Sequence, residues 1–211
     1  MPTHIAPATA LVCILVLFAM SRSGAGQTKL DLSDIHATDG AINTFEKRLS
    51  VDSPEMRAIF TVFPAPSRVR LTFTYLGPTK EVSMLGNGEV RHQFGFKLHA
   101  QDPCNLVYVI WDFDHPSNLR VSVKSNPSAS AWQECRDNGY HNLRPTETKE
   151  LPAIKENEPH AFVIEADGTS LVAIVDGTVV WRGNNDIAPT LRGPAGLRSD
   201  NVRVLFDLEV N

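Results

Sequence analysis

Several things this chain lacks narrow what it can be. Its 20 basic and 24 acidic residues give a formal net charge of −4, and like charges are nowhere gathered into a block. Nucleic acids and anionic membrane surfaces need a concentrated basic footprint, so both are set aside as partners. Three cysteines stand at 13, 104 and 135 among seven scattered histidines, and no zinc-ligand spacing results. Neither a Ser-His-Asp order nor a phosphate-cradling glycine loop is present. Apolar residues hold no helical period over a useful window. The one long apolar run, Ala10 to Met20, is shorter than the ~20 residues of a membrane-spanning helix.

Small residues, Ser23-Gly24-Ala25-Gly26, follow that run. The pattern predicts an export leader over residues 1–26, cleaved after Ala25 or Gly26. No Lys or Arg precedes the run, which leaves an uncleaved anchor as the alternative. Residues 27–211 are expected to form one domain that buries roughly 70% of its unfolded surface. A secreted or periplasmic location, with no stable membrane insertion after cleavage, follows from the leader. In an exported chain Cys104 and Cys135 are expected to form a disulfide, a metal or redox pair being the alternative.

What is there reads as short strands. Met56 to Phe63 forms one, stopped by Pro64 and Pro66. Next, Val69, Leu71, Phe73 and Tyr75 alternate with Arg70, Thr72 and Thr74. Glu81 to Gly86 reads as a further short strand ahead of Asn87-Gly88, a hairpin signal. The central block is the most regular. Phe94, Phe96 and Leu98 alternate with Gln93, Gly95, Lys97 and His99. Val107, Val109, Trp111 and Phe113 oppose Tyr108, Ile110, Asp112 and Asp114, and Leu119, Val121 and Val123 oppose Arg120, Ser122 and Lys124. Each such strand offers one apolar and one polar face. Residues 126–159 are irregular. Three runs between His160 and Gly183 are separated by Asp167-Gly168 and Asp176-Gly177, which suit type I′ turns and an antiparallel meander. At least nine short strands of this kind predict an all-β, two-sheet antiparallel sandwich of jelly-roll type.

Two segments, ADGTSLVAIVDGTVVWRG (residues 166–183) and GPAGLRSDNVRVLFDLEV (193–210), carry a family resemblance, supported by Gly95 to Asp114. They resemble the closing strands of concanavalin A-like lectin/glucanase domains, in particular the laminin-G-like and 3-keto-disaccharide-hydrolase-type members. The resemblance implies a jelly roll and a bias toward saccharide ligands. Glucanases of that superfamily carry Glu, Asp and Glu at alternating strand positions, and this chain has no such triplet.

The expected function is therefore carbohydrate binding by an exported domain, through the polar face of the central strands. Gln93, Lys97, His99, Tyr108, Asp112, Arg120 and Lys124 form that face, with Trp132 on the disulfide-tethered loop; planar donors, carboxylates and aromatic plates are what sugars require. Ordinary solvent exposure of a sheet is the plainer reading of the same residues. A glycoside hydrolase or sugar lyase using Asp112, Asp114 or His99 in acid and base roles is the alternative, and a structural envelope module another. Trp111 and Trp181 fall on apolar faces and are expected in the core. No cofactor is required. Asp200 and Asn201 offer oxygen ligands for calcium, against the simpler reading of a turn tied by side-chain hydrogen bonds. Oligomeric state and ligand identity are not encoded in any recognisable pattern.

Overall fold

The structure, a computed structural model, describes residues 26–114 and 116–211. The expected leader lies outside them, Gly26 excepted. Among the described residues no helix is long and apolar enough to cross a membrane.

The first strands are β1 (Thr28–Leu30), β2 (Ile35–Asp39), β3 (Asn43–Phe45), β4 (Arg48–Asp52), β5 (Glu55–Phe60) and β6 (Arg68–Pro78). The central block supplies β7 (Gln93–Asp102), β8 (Asn105–Asp112) and β9 (Asn118–Lys124). A single helical turn, α1 (Trp132–Cys135), precedes β10 (Tyr140–Asn142) and β11 (Pro145–Thr148). The chain closes with β12 (Pro159–Asp167), β13 (Ser170–Val175), β14 (Thr178–Asn184), β15 (Gly196–Asp200) and β16 (Val202–Val210).

These strands make two antiparallel sheets. One has nine strands in the order β11-β14-β13-β12-β6-β16-β4-β3, with β1 added alongside β16. The other has seven, in the order β10-β9-β8-β7-β15-β5-β2. The expected meander is β12-β13-β14. Its second turn is as expected, Asp176 and Gly177 taking φ of 48° and 80° between Val175 and Thr178. The first lies one residue further on: Asp167 pairs with Ser170, so Gly168-Thr169 forms the loop. Glu81 to Gly86, expected as a strand, is a loop in which Leu85 and Glu89 close a local turn. Its alternation has no neighbouring strand to pair with, and Val82 and Met84 are exposed.

Alternation places the core as expected. Phe94, Phe96, Leu98, Val107, Val109 and Trp111 face inward from the seven-stranded sheet against Leu71, Phe73, Phe162, Val204 and Phe206. Phe73 meets Phe94 and Trp111 edge-on, each at a centroid distance of 5.7 Å, the arrangement favoured by ring quadrupoles. The Trp111 indole N–H is satisfied by the Ser117 hydroxyl at 2.6 Å. Trp181 is likewise buried in this core.

Cys104 and Cys135 are bonded, fastening α1 to the start of β8. A closed loop of this length constrains the unfolded chain by about 3–4 kcal/mol in the chain-entropy model. Replacing both cysteines with serine is expected to lower the melting temperature by roughly 5–15 °C, measured by calorimetry. On gels the native chain should run faster without reductant than with it; free-thiol labelling of both cysteines would contradict the bond.

Candidate functional site

The outward face of the seven-stranded sheet carries the candidate site. Its register puts Lys97 of β7 opposite Tyr108 of β8 on one side and Gly196 of β15 on the other. Two residues along, on the same face, Gly95 stands between Ile110 and Arg198. A side chain at 95 would press on the Val109 carbonyl, its Cβ only 2.3 Å away. With none there, Arg198 reaches across β7 and its guanidinium lies 5.1 Å from the Tyr108 ring. Arg57 of β5 joins from the far side, opposite Arg198 in register.

Asp200, almost wholly buried, holds these cations in place. It accepts from Arg57 Nη2 at 2.6 Å, Arg198 Nε at 2.8 Å and Gln93 Nε2 at 2.6 Å. Burial alone would raise its pKa, but Arg198 and Arg57 outweigh that and hold the carboxyl below its usual range. The same pairing raises Arg198 against its own desolvation. Both carboxylate oxygens are thus engaged by cations. Asn201, the other residue considered for calcium, sits in a turn at φ 55° and bonds the backbone of Ser83 and Arg91.

Above this floor opens a cleft of about 700 Å³. Tyr108, Tyr140 and Trp132 line it together with Ile59 and Leu106. Tyr108 and Tyr140 stack with centroids 6.0 Å apart and planes 25° from parallel. Trp132 is 45% exposed. Carboxylates of Asp39, Asp102 and Asp137 stand around the cleft. The loop between β6 and β7 brings Met84 and Leu85 to its edge.

Of the expected residues, Lys97, Tyr108 and Trp132 meet in this cleft. The others do not. Lys124 is 0% exposed, its ammonium donating to the carbonyls of Pro103 (3.1 Å) and Arg136 and lying under Trp132 at 4.5 Å. It holds the aromatic wall from beneath. Gln93 is buried on Asp200. Asp112 is buried and paired with Arg120. Asp114 follows the end of β8 and pairs with His92 at 2.8 Å. Asp112 and Asp114 therefore do not face one another across a substrate site, and neither lines the cleft. His99 is a correction of parity: it takes φ 49°, and the β7–β8 register shifts between Leu98 and Asp102. This irregularity puts Ala100 beside Tyr108 on the outward face. It sends His99 to a separate pocket of about 500 Å³ beside Phe60, Arg192 and Pro194, where burial and then Arg192 lower its pKa. Arg57, Arg198 and Tyr140 are functional candidates that strand parity alone does not single out. Their alternation is visible, but their neighbours are set by strand order.

Lys97 is the exception among the charges of the floor. It is 9% exposed and, among the described residues, makes no hydrogen bond or ion pair. Burial, then Arg57 and Arg198, lower its pKa from 10.5 to about 8. Sharing the cleft with it are Glu55 and Arg57 from β5, Arg198 from β15, Asp39 from β2, Tyr108 from β8 and Tyr140 from β10, whose phenol burial pushes up. Between pH 8 and 10.5 the folded protein has released a proton that the unfolded chain still binds. Stability contributed by this group therefore rises with pH across that window. Denaturant unfolding of the wild type and Lys97→Met from pH 7 to 10.5 is expected to show the wild type gaining on the variant; a constant difference would refute the shift.

No family model matches the chain, and no curated protein matches it in sequence. Solved structures match in shape. The carbohydrate binding module CBM66 from Bacillus subtilis superposes with a TM-score of 0.57 at 12% identity, covering 82% of this chain and 91% of that one. The Crh5 transglycosylase in complex with NAG gives 0.53 at 11% identity, covering 89% and 84%. An endo-acting O-glycanase from prominent members of the human gut microbiota gives 0.52 at 12% identity, covering 89% and 95%. Two antiparallel sheets in this order, matched at this level, give the chain a jelly-roll β-sandwich fold of concanavalin A-like type.

Proposed function

We propose that the cleft on the seven-stranded sheet binds carbohydrate and that the protein is an exported saccharide-binding module. One observation carries this reading: stacked Tyr108 and Tyr140 and exposed Trp132 wall an open cleft whose floor is polar and charged. Apolar C–H faces of a pyranose ring need flat aromatic surface, and its hydroxyls need donors and acceptors in fixed positions. Both are present within one sugar-sized volume. The disulfide and the Lys124 hydrogen bonds hold Trp132 before any ligand arrives, which cuts the ordering cost of binding. The likeness in shape to a carbohydrate binding module and to a transglycosylase held with NAG supports the same conclusion. The disulfide suits an oxidising compartment outside the cytoplasm.

A glycan array followed by calorimetry tests the proposal. Trp132→Ala and Tyr140→Ala are each expected to weaken binding by at least about tenfold, equivalent to about 1.4 kcal/mol. Flat responses across hexose polymers, uronate polymers and disaccharides would reject it.

A further inference from the structure

Resting on that reading, we propose that the cleft selects an acidic saccharide carrying one carboxylate per sugar, with Lys97 as the counter-ion. The cations of the floor outnumber the anions built to hold them. Arg57 and Arg198 share the single buried carboxylate of Asp200, and Glu55 reaches Arg57 only at 3.8 Å. Glu55 also accepts from the Ser83 hydroxyl. Lys97 stands on β7 beside these guanidiniums, about nine-tenths buried, lining the cleft and, among the described residues, without a partner. An ammonium drawn most of the way out of water, its nitrogen reaching solvent only through the cleft and with no protein acceptor, is costly. A ligand carboxylate placed over it removes that cost and meets the positive field of both arginines.

The surroundings decide which anion fits. Asp39, Asp102 and Asp137 stand around the same cleft. Asp102 already accepts from Cys104 N and Asn105 Nδ2, and Asp39 from Gly40 N. Their remaining lone pairs accept sugar hydroxyls but repel a densely sulfated chain. The tyrosine pair and Trp132 then take the ring face. A uronosyl residue satisfies all three requirements together: its carboxylate on the floor, its hydroxyls at the carboxylates, its C–H face on the aromatics.

Calorimetry on the full chain with galacturonate, glucuronate and mannuronate oligomers tests this, each paired with its carboxyl-reduced neutral counterpart, and with heparin as the sulfated probe. At least one uronate oligomer is expected to bind tenfold or more tighter than its reduced counterpart and tighter than heparin. Lys97→Met should bring the ratio of acidic to reduced affinity to about one, whereas Lys149→Met, an exposed lysine after β11, should keep it. Equal or tighter binding of every reduced oligomer overturns the inference, as does a preference that survives in folded Lys97→Met. Heparin binding tightest overturns the single-carboxylate geometry. If neutral saccharides bind and acidic ones do not, this inference alone fails. If no saccharide of either kind binds, the carbohydrate reading falls with it.

Discussion

The buried carboxylate of Asp200 sets the shape of the site. Arg57 and Arg198 project from adjacent strands onto the same face, where two guanidiniums left alone would repel. Asp200 accepts from both and from the Gln93 amide, tying β5, β7 and β15 at one end. Removing one partner of such a buried group is costly, about 3–5 kcal/mol, because uncompensated charge is left behind. The next residue, Asn201, turns the chain into β16 and the other sheet while its side chain holds the backbone of Ser83 and Arg91. One two-residue corner therefore fixes the crossing from one sheet to the other, the loop beside the cleft and the cationic floor.

The aromatic wall depends on a second constraint at the opposite side of the cleft. The disulfide brings α1 against β8, and the Lys124 ammonium fills the space beneath it, held by two backbone carbonyls and facing the rings of Trp132 and Tyr140. A desolvated cation over aromatic faces is worth about 2 kcal/mol or more. The long lysine stem packs as an apolar body while its head satisfies carbonyls that a loop would otherwise leave facing protein. Trp132 remains exposed because its anchor lies below it.

Much of this was legible in the sequence, and the failures have a common cause. Alternation in Gln93 to Lys124 gave both faces of β7, β8 and β9, and the large residues of one face are those of the core. Asp176-Gly177 announced a turn that the chain makes there. Parity, however, states which side of a sheet a residue occupies, and neither its neighbour nor its cover. Lys97 meets Arg198 and Arg57 only because β15 and β5 lie beyond β7 in strand order, an arrangement that no local pattern encodes. Gln93, Asp112 and Lys124 are polar and have the outward parity, yet each is buried with a partner drawn from elsewhere in the chain. His99 fails for a different reason. A residue at φ 49° breaks the two-residue period within the strand, and the tight approach of Gly193, whose Cβ would stand 2.3 Å from Ala100 C, shows how closely the neighbouring segment crowds that point.

The outer face of the nine-stranded sheet shows why an unpartnered lysine is informative. Charges there are matched across strands: Arg68 with Glu165, Arg70 with Glu209, Arg182 with Glu147, and Asp207 with both Lys29 and Arg48. The Arg68, Arg70 and Arg182 pairs stand opposite one another in register, so satisfying charge is what this chain does by default on an exposed sheet. Individually such surface pairs contribute little, about 0–1 kcal/mol, but their regularity sets the comparison. On the seven-stranded sheet the pattern stops at Lys97, whose register partners are a tyrosine and a glycine rather than an acid. An acid at position 108 or 196 would have completed the ladder. Instead one neighbour supplies an aromatic ring and the other leaves space, and the charge that the fold leaves open is the one that faces the cleft.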